Sequence, residues 1–238
     1  MTTQYDILLS GFPGKCSRGF LGWSTTVLLK TRAGYALFDT GGAGDRPGIL
    51  EGLAKRGVDA GDIRTVILSH LHFDHIANAE CFPDAEIVIH EAELSYFDRH
   101  WAHDRAVPKY LVEGLLRRPQ LSVVSGELDI LPGVRMIRTP GHTGGHIALV
   151  LQIDGECVVL AQDALKHRGE VATSVSAGSF DAKAASASVQ RIVGMADIIV
   201  PGHDAPFRIH DGAVVLPGRL HEEIRITIDD RLYEMEIG

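Results

Sequence analysis

The strongest constraint in the 238-residue sequence is the run 69–75, where three histidines and one aspartate fall within six positions: His70, His72, Asp74 and His75. Imidazole nitrogen and carboxylate oxygen are ligands that Zn²⁺, Mn²⁺ and Fe²⁺ accept, and alternate residues of a tight loop can converge on one point. The adjacent Asp74 and His75 would point differently from His70 and His72, which favours two metal ions over one. A single histidine is usually structural, but this joint pattern makes that interpretation remote.

Six positions supply at most four ligands, so a site for two metals needs further ligands from other loops. Candidates stand at three predicted strand ends: His142 follows the strand 134–138, Asp163 follows the apolar run 158–160, and His203 follows the strand 198–200. Glycine and proline precede His142 and His203, which is typical of tight loops that hold a side chain at a fixed point. We therefore predict one site built from four loops.

Apolar runs rich in β-branched residues alternate with helical patterns along the chain. Predicted strands lie at 5–9, 25–31, 35–39, 65–68, 86–90, 121–124, 134–138, 147–153, 156–160 and 198–200. Helices are predicted from a cap at Asp45 to 56, within 91–118 with a break at Pro108, and from Asp181 to 195. We predict a single domain over 1–238, made of two β/α halves that meet near 125 and pack as α/β/β/α, with a C-terminal hairpin at 221–238.

Composition limits the partners and the compartment. The formal charge of −8 disfavours nucleic acid as a partner, because phosphate backbones are bound by clustered Lys and Arg. No apolar run reaches the about 18 residues of a membrane span, and the first residues lack the features of a signal peptide, so we expect a cytoplasmic protein without a membrane partner. The scattered Cys16, Cys81 and Cys157 fit neither a disulfide framework nor a metal pair. The edge of the C-terminal hairpin could pair with a second copy in a homodimer.

The motif HxHxDH resembles the signature of the metallo-β-lactamase superfamily, and the resemblance spans most of the chain. It implies a four-layer α/β/β/α sandwich with two divalent metal ions, zinc before Mn, Fe or Co. The implied ligands are His70, His72 and His142 for one metal and Asp74, His75 and His203 for the other, with Asp163 bridging both. Asp39 matches an aspartate that the family places beneath the metal loop to orient a ligand histidine. Its segment, Asp-Thr-Gly-Gly, is also an ordinary turn at a strand end.

Departures from the family pattern narrow the subfamily. Gln162 stands where the family usually has glycine, and the commonest zinc β-lactamases have cysteine in place of Asp163, which disfavours antibiotic hydrolysis. The ligand spacing resembles that of N-acyl homoserine lactonases and glyoxalase II. The lactonases, however, have tyrosine where this chain has Lys166, and glyoxalase II ends in a helical extension where this chain has the predicted hairpin. The segment 196–207 further resembles eukaryotic metallo-β-lactamase domain-containing proteins.

The resemblance implies a hydrolase in which a hydroxide on the dinuclear metal centre attacks a small-molecule substrate, so that no Ser or Cys nucleophile is needed. A carboxylic ester, above all a lactone, is the predicted substrate. A glyoxalase II-like thioesterase and a phosphodiesterase or ribonuclease are the alternatives within the fold. Flavodiiron-type redox chemistry would need a flavin domain, and metal binding without catalysis is the remaining possibility.

Asp74 and Lys166 are the candidates for direct catalytic roles. Lys166 either places positive charge near the leaving oxygen or a substrate carboxylate, or is an ordinary solvated lysine. His146 is expected to support His142, with substrate contact as the alternative. The glycine-rich stretch 11–22, with its aromatic residues, predicts a mobile flap over the metals, and the aromatic segment 91–118 an opposite wall; core packing is the competing explanation for the aromatics.

Overall fold

Two β-sheets pack face to face in the structure, a computed structural model that describes residues 3–17, 19–174, 178–215 and 218–237. Met1, Thr2 and Gly238 of the predicted domain, and Arg18 of the predicted flap, lie outside the described residues. The strands are β1 (Gln4–Leu9), β2 (Lys15–Cys16), β3 (Gly19–Phe20), β4 (Thr26–Thr31), β5 (Gly34–Phe38), β6 (Ile63–Ile67), β7 (Glu86–His90), β8 (Leu121–Val124), β9 (Leu128–Leu131), β10 (Val134–Arg138), β11 (Ile147–Ile153), β12 (Glu156–Gln162), β13 (Ile198–Pro201), β14 (Phe207–His210), β15 (Ala213–Val215), β16 (Glu222–Ile228) and β17 (Arg231–Ile237). The helices are α1 (Arg46–Ala54), α2 (Phe73–Ile76), α3 (Glu91–His100), α4 (Lys109–Leu116), α5 (Gly169–Thr173) and α6 (Ala182–Met195), with short 3₁₀ turns at Ala43–Asp45, Ala60–Asp62 and Ala79–Cys81.

The first sheet has the strand order β1-β4-β5-β6-β7-β8, and the second has the order β15-β14-β13-β12-β11-β10-β9. Between them lies an apolar core to which both sheets contribute, including Leu29 and Phe38 from the first and Leu149 and Leu160 from the second. The central strands are buried on both faces, which explains their nearly unbroken apolar sequences. A strand buried on one face only would alternate instead.

The helices cover the outer faces of the two sheets. Ile49 and Leu53 of α1 join Phe97 of α3 in a core on the first sheet, while Val189 and Ile192 of α6 pack in a separate core on the second sheet. The order of layers is therefore α/β/β/α, as the sequence predicts. Helix α6 begins where the side chain of Asp181 accepts hydrogen bonds from the backbone N–H groups of Lys183 and Ala184.

Asp45 does not cap α1 in the predicted way. It is the residue before α1, but its side chain accepts no hydrogen bond from that helix and instead accepts one from the backbone N–H of Gly42. The short elements α5, β9, β14 and β15 were also outside the predicted set, because they contain too few periodic residues to be separated from loop sequence.

The C-terminal strands β16 and β17 form a two-stranded ribbon that belongs to neither large sheet. The register places Ile224 opposite Met235 and Ile226 opposite Tyr233, on one face of the ribbon. The side chains of Tyr233 and Met235 are 52% and 57% exposed, so this apolar face is open to solvent. Among the described residues, no helix is both long and apolar enough to cross a membrane.

Candidate metal centre

The seven predicted ligands come from four loops at one edge of the two sheets. The loop after β6 carries four of them, and the loops after β10, β12 and β13 carry one each. Three groups of potential ligand atoms result, each with all its atoms within 4.8 Å of one another: His70 with His72 and His142; His70 with His75 and Asp163; and Asp74 with His75 and His203. Within one group, the structure thus brings together residues as far apart in the sequence as Asp74 and His203.

The first group contains imidazoles alone. His142 Nε2 lies 2.9 Å from His72 Nδ1, and the Nε2 of His70 is buried without a hydrogen-bond partner among the described residues. An unpaired buried imidazole nitrogen costs free energy unless another group satisfies it. A metal ion would supply that missing partner for His70.

The carboxylate of Asp163 lies between the two ends of the site. Its Oδ2 is 3.2 Å from His142 Nε2, while its Oδ1 is 3.3 Å from His75 Nε2 and 3.1 Å from His203 Nε2. Asp74 belongs with His75 and His203 to what we call the second ligand group, and its Oδ2 is 3.6 Å from His203 Nε2. The two oxygens of Asp163 therefore face different ligand groups, which is the arrangement that a bridging carboxylate requires.

Groups behind the imidazoles fix which ring nitrogen carries the proton. His75 Nδ1 lies 2.7 Å from a carboxylate oxygen of Asp39, and His203 Nδ1 lies 2.8 Å from the backbone carbonyl of Trp23. Because a carboxylate and a carbonyl only accept hydrogen bonds, both nitrogens must be protonated, which leaves each Nε2 free to bind a metal. The donor set therefore fits divalent metal ions.

Asp39 contacts or orients one histidine of each predicted ligand set. Besides His75, its carboxylate accepts hydrogen bonds from the backbone N–H of Ser69 at 2.7 Å and the Ser69 hydroxyl at 2.6 Å. That hydroxyl lies 2.9 Å from His70 Nδ1, so Asp39 orients His70 through Ser69. Asp39 is fully buried and holds a left-handed backbone with φ of 61°. The orienting function predicted for this residue therefore extends to two histidines, and the segment is more than a simple turn.

Electrostatics divides the histidines into two classes. Burial and, after it, the neighbouring imidazoles lower the pKa of His70 well below the ordinary value. Burial also lowers the pKa of His142 well below the ordinary value, although the carboxylate of Asp163 acts in the opposite direction. Both rings are therefore neutral, which is the form that binds metal. Burial also opposes protonation of His75 and His203, but nearby carboxylates raise the pKa values of both. Asp163 has its pKa held well below its usual range by these imidazoles, although burial acts in the opposite direction.

Glu93 of α3 connects the loops that carry the first ligand group. Its fully buried carboxylate accepts hydrogen bonds from the backbone N–H of Leu71, the hydroxyl of Thr143 and the backbone N–H of Gly145, at 3.0, 2.7 and 3.0 Å. A Cβ atom on Gly145 would lie 2.0 Å from the backbone nitrogen of Glu93, so only glycine permits this approach. Sequence reasoning missed Glu93; the signal was an acidic residue four positions before the core residue Phe97 on one helix.

Lys166 and His146 occupy different positions around the ligands. The backbone carbonyl of Lys166 accepts a hydrogen bond from the backbone N–H of His203 at 2.8 Å. The charge of Lys166 contributes, after burial, to the lowered pKa values of His142 and His146. His146 does not support His142 by a hydrogen bond: its Nδ1 lies 2.9 Å from the Thr139 hydroxyl, and its ring is 5.0 Å from that of His70. Burial lowers the pKa of His146 to about 3, so the ring is neutral.

The predicted flap has a fixed base and an exposed tip. Phe12 and Trp23 pair through backbone hydrogen bonds, and their rings stack with centroids 4.8 Å apart. At the tip, Phe20 is 63% exposed, and its ring centroid lies 5.7 Å from that of Phe73, which neighbours Asp74 in the ligand loop. Core packing thus explains the first pair of aromatics, whereas Phe20 lies over the ligand loop.

The aromatic segment 91–118 is divided in a similar way. Phe97 belongs to the core, Tyr96 faces the ligand loop through Asp104, and Tyr110 is 88% exposed. Among the other histidines, His90 caps α3 by accepting a hydrogen bond from the backbone N–H of Ala92. The three cysteines are free thiols.

Comparison with known proteins places these features in a family context. The model of the metallo-beta-lactamase superfamily matches residues 21–203. Metallo-beta-lactamase domain-containing protein 1 of Mus musculus is 34% identical over 212 residues, which make up 85% of this chain and 74% of that protein. N-acyl homoserine lactonase of Bacillus sp is 28% identical over 205 residues, covering 74% of this chain and 79% of that enzyme.

Solved structures show the same fold. A quorum-quenching N-acyl homoserine lactone hydrolase has a TM-score of 0.68 at 24% identity, with 86% of this chain and 93% of that chain covered. AidC, a dizinc quorum-quenching lactonase, has a TM-score of 0.63 at 19% identity, with 89% of this chain and 78% of that chain covered.

Proposed function

The chain belongs to the metallo-β-lactamase superfamily, as the sequence predicts, and on that premise we propose that it is a dinuclear metal hydrolase of small carboxylic esters, specifically lactones. The observation that carries this proposal is the position of Asp163, whose two oxygens face separate ligand groups. His70, His72 and His142 would hold one ion, and Asp74, His75 and His203 the other.

Two divalent ions held by these residues, with zinc the first expectation, would supply hydroxide at neutral pH and positive charge that stabilises the developing oxyanion. The residues around them bind and orient. Asp39 and the Trp23 carbonyl hold a proton on Nδ1 of His75 and His203, so that Nε2 would be the nitrogen that binds metal. Phe20 at the flap tip packs against Phe73 of the ligand loop. Asp74, the carboxylate of the second ligand group, is the candidate to hold a proton released during hydrolysis.

The ligand spacing resembles that of the lactonases, but Lys166 stands where they have tyrosine, so we propose a substrate that differs from theirs. A lysine in place of their tyrosine puts a positive charge on the residue whose backbone carbonyl binds the N–H of His203, and this charge contributes to the lowered pKa of His142. An ammonium group there favours a substrate that carries a carboxylate near its scissile bond or develops negative charge on its leaving oxygen.

An ester is favoured over a phosphodiester by two observations. The net charge of −8 opposes the approach of a polyanion, and one of the relatives is a lactonase. The three free cysteines fit the reducing cytoplasm that we propose as its compartment. A small molecule is the proposed partner, with neither nucleic acid nor membrane.

The experiment is metal analysis of the purified protein, followed by turnover of a panel of lactones, thioesters and phosphodiesters after loading with Zn²⁺, Mn²⁺, Fe²⁺ or Co²⁺. We expect about two ions per chain and hydrolysis of lactones. His72→Ala should lose both metal and activity, whereas His221→Ala, at an exposed histidine of the tail, should retain both. Activity on phosphodiesters without lactone hydrolysis would overturn the proposed substrate, and metal-free protein that cannot be loaded would overturn the mechanism.

A further inference from the structure

An acidic residue outside the predicted ligand set lies directly behind one of the ligands. The loop between α3 and α4 carries Asp104, whose Oδ2 is 2.9 Å from His72 Nε2 and 2.7 Å from the hydroxyl of Tyr96. The side chains of His72 and Asp104 are only 8% and 17% exposed, so water screens this pair weakly. Asp104 has its pKa held below its usual range by these hydrogen bonds, although burial acts against them.

The contact determines how His72 can be used. A carboxylate only accepts, so His72 Nε2 must carry a proton, and Nδ1 is left as the ligand nitrogen. That Nδ1 is the atom that faces His142 Nε2, at 2.9 Å. Asp104 thus holds the proton on Nε2 of His72, as Asp39 holds the proton on Nδ1 of His75.

We propose that Asp104, held by Tyr96, is the positioning residue for His72, so that each predicted metal has one histidine backed by a carboxylate. The inference rests on the proposed function, because it concerns a ligand of the metal centre. Histidine ligands that donate to a carboxylate bind metal more tightly, and loss of that carboxylate typically weakens metal affinity by about 10–100-fold.

Several contacts hold Asp104 in place. Its Oδ1 accepts the backbone N–H of Ala106 at 3.0 Å, and the carbonyl of Ala106 accepts the backbone N–H of Phe73 at 2.9 Å. The loop is thus attached to the ligand loop at two points. Tyr96 is itself buried, and its ring packs against those of His100 and Phe180, with ring centroids 5.0 and 5.1 Å away. The tyrosine hydroxyl can therefore fix the carboxylate with little loss of conformational entropy.

The test measures metal affinity by competition with a chelator, and the coordination geometry by the absorption spectrum of the Co²⁺-loaded protein. Asp104→Asn should weaken affinity for one ion by about 10–100-fold, and should alter the Co²⁺ spectrum. Tyr96→Phe, which removes only the hydroxyl that holds Asp104, should have a smaller effect in the same direction. The matched control is Asp98→Asn on the exposed face of α3, which should leave both measurements unchanged.

The outcomes separate the inference from the function. Metal affinity and Co²⁺ spectrum of Asp104→Asn equal to those of Asp98→Asn would overturn the positioning role while the wild type still binds two ions. A fall in thermal stability of the metal-free variant with unchanged metal affinity would also overturn it, since that result indicates a purely structural contact. If Asp104→Asn does not fold, Tyr96→Phe carries the test with the same two readouts. A wild-type protein that binds no metal would instead refute the proposed function.

Discussion

Replacing Asp39 by asparagine tests whether one carboxylate organises both ligand groups. Asn has the same shape as Asp and tolerates a left-handed backbone, so the φ of 61° at this position need not change. The amide oxygen can still accept a hydrogen bond from the backbone N–H of Ser69, which lies 2.7 Å from the Asp39 carboxylate in the wild-type protein. The amide NH₂, however, would face two groups that donate to Asp39 in the structure, the Ser69 hydroxyl and His75 Nδ1.

The expected loss follows from those contacts. The bond with His75 is lost and the bond with the Ser69 hydroxyl must reverse; each hydrogen bond to a charged group contributes about 1.5–3 kcal/mol. Because the site is fully buried, water cannot replace either partner. We expect the free energy of unfolding of the metal-free protein to fall by about 2–4 kcal/mol, and the affinity for both ions to fall by about 10–100-fold.

Urea unfolding of the metal-free protein and chelator competition measure the two effects. Asp154→Asn is the matched control, because Asp154 also has a left-handed backbone, with φ of 53°, but lies in an exposed hairpin turn. That control should change the free energy of unfolding by less than about 0.5 kcal/mol. A change at Asp39 no larger than at Asp154, or a loss of affinity for one ion only, would refute the argument that Asp39 orients a ligand of each metal.

Three further predictions concern other parts of the chain. The hydrogen bond from Arg191 lowers the pKa of Glu127 from 4.5 to about 2. This pair therefore stabilises the fold above pH 4.5, and its contribution is lost as the pH falls toward 2. In urea unfolding at neutral pH, Glu127→Gln should lower the free energy of unfolding by about 1 kcal/mol, and the difference between variant and wild type should shrink in acid. Gly145→Ala forces a Cβ atom against the backbone of Glu93 and should cost about 1–3 kcal/mol and weaken metal binding; unchanged affinity would contradict the closeness of that contact. If a second copy covers the apolar face of the terminal ribbon, light scattering should give a dimer for the wild type and a monomer for Tyr233→Glu, and a monomeric wild type would contradict that arrangement.

The sequence predicts the strands and ligand loops well because both have local signals. Runs such as β11 and β12 are apolar and β-branched, and the Asp154-Gly155 pair between them marks the hairpin. Gly and Pro then mark the loops that carry His142 and His203. Gln162 adopts φ of 45°, which gives a physical reason for the glycine that the family usually has there.

The groups behind the ligands could not be predicted in the same way. Glu93 contacts Leu71 and Gly145, which lie 22 and 52 positions away, and Asp104 meets His72 across 32 positions. The hydrophobic periodicity of the sequence cannot predict such contacts, because they depend on how α3 is placed against the ligand loops. The backbone carbonyl of Trp23 behind His203 has no signal at all in the side-chain sequence.

The distribution of the ligands over both sheets has a consequence for the life of the protein in the cell. His70 and its neighbours follow a strand of the first sheet, whereas His142, Asp163 and His203 follow strands of the second. An ion bound between these predicted ligands would be a cross-link that the unfolded chain cannot reproduce, and at a hundredfold excess over its dissociation constant it would add about 2.7 kcal/mol of stability. Resistance to cellular proteases should then increase with the supply of metal. When metal is scarce, we expect the protein to be degraded as well as inactive.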